Sequence, residues 1–132
     1  MEIKHGLQRT GALDVETVRL KAELAGFTVF VLPTVGIVDR ASFFGAVRAT
    51  FPLDPPLVGS HSWDALSDSL WEGLYTSTAR RIAIVWQGTR AMATSASRDF
   101  ETALDVLADV ARLLADPQAT CGTTKEVAIL VE

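Results

Sequence analysis

Three carboxylates recur at four-residue steps along one segment, Ser62-Trp63-Asp64-Ala65-Leu66-Ser67-Asp68-Ser69-Leu70-Trp71-Glu72. Residues four apart are neighbours on a helix, so Asp64, Asp68 and Glu72 line up along one face. Like charges so placed weaken a helix by about 0.2–0.5 kcal/mol per pair. Asp64 stands in the first turn, where the helix dipole favours an anion. Asp68 and Glu72 have no such help, and no basic residue lies three or four positions from either within the helix. The chemistry open to such a row is to receive cations from outside. A solvated helix face is the plain alternative, and spacing alone does not choose between them. Trp71, in the same segment, reads as a contact anchor, since tryptophan is enriched at binding hot spots, or equally as a packing residue.

Other chemistry is sparse. Ser60-His61-Ser62-Trp63-Asp64 contains the residue types of a serine hydrolase triad. Adjacent side chains diverge, however, and triads are assembled from separated segments, so loop and cap roles are preferred for Ser60, His61 and Asp64. The two histidines, His5 and His61, stand far apart, and no metal site is expected. No G-x-G-x-x-G or G-x-x-x-x-G-K-[ST] follows a strand pattern, so no nucleotide or other cofactor is expected. Cys121 is the single cysteine, which excludes an intrachain disulfide and suits a reducing compartment. The net charge of −4 disfavours nucleic acid as a direct ligand and permits a basic partner protein. Residues 1–10 lack the apolar core of an export signal, and the apolar run at 27–33 is too short to span a bilayer. The expected address is the cytoplasm, away from membranes.

The elements that must carry these residues follow from periodicity. A chain of 132 residues suffices for one domain with its own core. Asp14 opens a helix with Val15, Val18, Ala22 and Ala25 on one side, and Gly26 stops it. Residues 27–32 form a β-branched and aromatic run, a buried strand. Asp39 caps a second helix with Phe43, Phe44, Val47 and Phe51 on its apolar side, and Pro52 ends it. Three prolines make 52–56 a loop. Ser62 then caps the acidic helix, whose Trp63, Leu66 and Leu70 form a separate apolar face; Gly73 reads as lying near its end. Residues 81–86 form a second buried strand, and Gln87-Gly88-Thr89 a turn. Phe100, Ala103, Leu104, Leu107, Val110, Ala111 and Leu114 stripe the strongest helix, which Asp116-Pro117 stops. A loop through Gly122 leads to a third strand at 126–131. Strands separated by helices imply right-handed crossovers and a parallel sheet. The reading is a single α/β domain. Residues 1–26 form an N-terminal extension with a helix, and 27–132 a core with a three-stranded parallel sheet flanked by helices.

The motif Trp63-Asp64-Ala65-Leu66-x-Asp68-x-Leu70 resembles the helix signature of the barstar family of ribonuclease inhibitors. Gly59 ahead of it, the strand ending in Trp86, the long helix and the last strand follow the family's order, so the resemblance covers roughly residues 27–132. It implies the three-stranded fold and a non-enzymatic function: occluding the active site of a small secreted ribonuclease inside the cell that makes it. It also implies that Asp68 enters the nuclease's phosphate-binding site and that Asp64 pairs with basic groups nearby. An acidic residue of the later helix, placed at Asp109 by a gap-free match from Glu101, adds to the contact, with Glu72 in support. The implied partner is a basic, extracellular-type ribonuclease or a related toxin nuclease. The chain departs from the pattern at Ser67, where the best-known member has a large aromatic contact residue. It departs also at Ser62, at Leu113, in the loops 52–60 and 116–124, and in the segment before Phe27. A protein-interaction module with a non-nuclease partner, or a small hydrolase, are the rival functions for this fold.

Overall fold

The computed structural model describes residues 2–132. In chain order it holds β1 (Gly6–Arg9), α1 (Val15–Leu24), β2 (Thr28–Val31), α2 (Arg40–Thr50), α3 (Trp63–Thr76), β3 (Arg81–Trp86), α4 (Arg90–Ser95), α5 (Ser97–Leu114) and β4 (Glu126–Val131). The strands pair in the order β1-β4-β3-β2, all parallel. The α/β class and the parallel sheet are as expected, but the sheet has four strands rather than three. The added strand is β1, which pairs Gly6 with Ala128 and Arg9 with Val131. Its only large apolar residue is Leu7, so no periodicity announces it; an edge strand is held by its backbone partner more than by its side chains. The His5 ring accepts the Val127 N–H at 3.0 Å just before β1 begins.

Both faces of the central strands are covered, which is why β3 and β4 are almost wholly buried. On one face Ala83, Val85, Ala128 and Leu130 meet Val18 and Ala22 of α1 together with Leu13 and Phe27. On the other, Ile82, Ile84, Trp86, Val127, Ile129 and Val131 meet the larger cluster of α2, α3, α4 and α5. Trp86 is fully buried, with its ring 5.1 Å from Phe43 and 5.5 Å from Phe100. At α2, Asp39 and Ser42 form a reciprocal cap: the Asp39 carboxylate accepts from the Ser42 amide at 2.9 Å, and Ser42 Oγ accepts from the Asp39 amide at 3.0 Å. The Ser42 hydroxyl and amide hold the Asp39 carboxyl below the usual carboxylate range, and His61 adds to this.

The helix α3 continues to Thr76, which puts Gly73 in its last turn, near the end as expected. A Cβ at Gly73 would stand 1.5 Å from the Pro52 carbonyl oxygen. The glycine serves close approach of the proline loop, which also donates from the Asp54 amide to the Ser69 carbonyl at 3.1 Å. The short α4 interrupts the stretch before the long helix, and α5 begins at Ser97, ahead of its apolar stripe. Arg81, the first residue of β3, makes three contacts. It pairs with Glu126 at 3.0 Å, lies 4.2 Å over the Phe27 ring and donates to the Ala25 carbonyl, tying α1 to the sheet.

Candidate partner-binding site

Ser62 caps α3 as its sequence suggests, with Oγ accepting the Ala65 amide at 3.3 Å. The approach to that cap is held from α2. Arg40 donates from Nε to the His61 carbonyl at 2.8 Å, and its guanidinium lies 4.9 Å from the Trp63 ring centroid. Arg48 donates to the Ser60 carbonyl at 3.4 Å. Leu66, Ser69, Leu70, Gly73 and Leu74 form the buried stripe of α3. With that stripe turned inward, Asp64 and Asp68 are exposed and Glu72 is partly buried. Among the described residues none of these three carboxylates forms an ion pair. At the far end of the helix the buried Lys125 ammonium donates to the Leu74 carbonyl at 2.6 Å and the Ser77 carbonyl at 2.7 Å.

Beside the acidic row opens a cavity of about 310 Å³ lined by Ser67, Asp68, Trp71, Glu72, Leu113 and Ala119. It brings together four of the residues singled out from the sequence. Asp64 lies one turn earlier on the same helix. Asp109 does not line the cavity; it is exposed on α5 and pairs with Arg112 at 3.7 Å. Leu113 and Ala119 were not legible as lining residues, because their placement depends on how α5 and the following loop meet α3. Trp71 has features of both its readings. Its ring stacks on Tyr75 at 4.7 Å and 16°, it faces the cavity, and its buried indole N–H meets no acceptor among the described residues. Tyr75 in turn donates from its hydroxyl to the Thr120 carbonyl at 2.9 Å, which fixes the 116–124 loop as a wall of the cavity.

The triad residues do not assemble. The His61 ring packs 5.4 Å from Phe44, and Ser60 Oγ accepts the Ser62 amide at 3.2 Å. Among the described residues no hydrogen bond joins the His61 side chain to Ser60 or Asp64, and no group of three or more His, Cys, Asp or Glu side chains is arranged to hold a metal ion. No helix among them is long and apolar enough to cross a membrane.

The family model described as Barstar (barnase inhibitor) matches residues 27–124. The chain belongs to the barstar family. No curated protein and no solved structure matches it. The matched span contains α3, α5, the loop after α5 and every residue of the cavity. The barstar family is one of inhibitors rather than enzymes, and its members act on ribonucleases such as barnase. The segment before Phe27 stands outside the match, yet β1 and α1 complete one edge and one face of this barstar-family sheet.

Proposed function

We propose that this chain inhibits a basic ribonuclease, of the extracellular type or a related toxin nuclease, by covering its active site with the acidic face of α3. The observation that carries the reading is Asp68: an exposed carboxylate that forms no ion pair among the described residues, on the rim of an open cavity. A ribonuclease must present Arg, Lys or His to its substrate's phosphates, and a row of carboxylates can take the place of those phosphates. Arg–carboxylate contacts are bidentate and strong once water is excluded. Asp68 enters the phosphate site in this reading, Asp64 and Glu72 flank it, and Ser67 and Trp71 pack at the contact. Asp109 adds charge from α5, shared with Arg112. Inhibition needs neither cofactor nor turnover; occlusion is enough.

The test is capture of basic ribonucleases on the immobilised chain, followed by an RNA-cleavage assay of each captured enzyme with and without added inhibitor. Stoichiometric loss of cleavage supports the proposal. Capture of proteins that have no nuclease activity would favour an interaction module with a different partner.

A further inference from the structure

Resting on the inhibitor reading, we propose that Arg40 is a positioning residue: from α2 it clamps the first turn of α3 and so holds Asp64 ready for the partner. Arg40 is the first residue of α2, and its guanidinium lies against the entry to α3, at the N-terminal end of both helices. Both helix dipoles disfavour a cation there, and an acid would suit the position better. Among the described residues Arg40 forms no ion pair that would offset this. Choices that run against local preference cluster at functional or strained places. Arg48 is different: it stands in the last turn of α2, where the dipole favours it, and its bond to the Ser60 carbonyl is long at 3.4 Å.

The contacts of Arg40 fall on the two residues that flank the Ser62 cap. Its Nε donates to the His61 carbonyl at 2.8 Å, and Nη2 donates to the same oxygen. Its guanidinium lies 4.9 Å from the Trp63 ring centroid and 5.9 Å from that of Phe44. Trp63 also packs on α2 itself, with its ring 5.0 Å from Phe44 and 5.9 Å from Phe43. The carbonyl before the cap and the ring after it are therefore both fixed. That sets the rotation of the first turn, and with it the direction in which Asp64 leaves the helix. Asp68 lies a turn further in, between the buried Leu66 and Leu70, and does not depend on the clamp. A planar group that donates and stacks at once is what arginine supplies and lysine does not. A contact group held in place before binding loses less ordering entropy when the partner arrives.

Charge alone predicts the opposite sign. Arg40 is a cation beside the acidic row, so on that ground Arg40→Met should tighten inhibition of a basic nuclease. The clamp predicts inhibition weakened roughly tenfold by Arg40→Met, and also by Arg40→Lys, which keeps the charge but not the planar fork. The loss should run through Asp64. Adding Asp64→Ala to Arg40→Met should cost little more, while adding Asp68→Ala should cost as much as it does in the parent. Unchanged or tighter inhibition by Arg40→Met, or an undiminished effect of Asp64→Ala in that background, would overturn the proposal. Amide hydrogen exchange on the full free chain tests the clamp without a nuclease. The Ala65 amide, which donates to Ser62 Oγ, should exchange roughly tenfold faster in both variants, while the amides of β3 and β4 keep their rates. Equal exchange at Ala65 in parent and variants would also overturn it. Faster exchange in the variants of a chain that inhibits no ribonuclease would remove the nuclease reading and leave the clamp standing.

Discussion

The ammonium of Lys125 sits buried against the last turn of α3, where helix carbonyls have no partner within the helix. A cation there is favoured by the helix dipole as well as by the hydrogen bonds. Replacing it by methionine keeps the stem but leaves the Ser77 carbonyl without its ammonium donor and the Leu74 carbonyl with only the Ser77 hydroxyl at 2.9 Å, and should cost about 1–3 kcal/mol in urea unfolding. Burial, with Arg80 nearby, holds the Lys125 ammonium below the usual lysine value of 10.5. Between the lowered folded value and 10.5 the unfolded chain binds more protons, so this residue makes stability rise with pH in that window. The Lys125→Met variant should show a flatter alkaline profile. Asp39 has the opposite dependence. Its carboxyl is lowered from 3.8 by Ser42, so its contribution is present above 3.8 and lost as pH falls through the folded value. An Asp39→Asn chain should therefore lose less stability on acidification than the parent, in parallel denaturant titrations.

Among the elements, α3 is gripped on its inner side by the proline loop, and Gly73 marks the contact. Gly73→Ala would gain up to about 1 kcal/mol of helix propensity but place a methyl inside the Pro52 carbonyl. Overpacking of this kind costs about 1–3 kcal/mol or more, so a lowered urea midpoint is expected. The same glycine shows where sequence reasoning reached its limit. Glycine near the end of an apolar pattern usually marks a stop, and only the path of the 52–60 loop reveals that this one marks a crossing. The caps at Asp14, Asp39 and Ser62, the strands β2, β3 and β4, and the stripe of α5 were all readable, because each is written in local residue types. The strand β1 and the short α4 were not, since pairing and packing with distant segments hold them. The row Asp64, Asp68, Glu72 was readable from its spacing, whereas the cavity wall from α5 and its following loop was not.

At the scale of the whole molecule the chain carries a net charge of −4, with an acidic row on one helix that forms no ion pair among the described residues. Such a surface speeds encounter with a basic partner, and salt screens it over roughly 10 Å at 0.1 M. Stopped-flow association with the captured nuclease should therefore slow as ionic strength rises, while dissociation changes less. The central claim is tested most directly by titrating a captured basic ribonuclease with the parent chain and with Asp68→Ala, reading RNA cleavage. Removing one partner of a dry charge pair costs about 3–5 kcal/mol, so the variant should need roughly a hundredfold more protein or beyond for equal inhibition. Equal inhibition by the two chains, with both folded, would contradict the account.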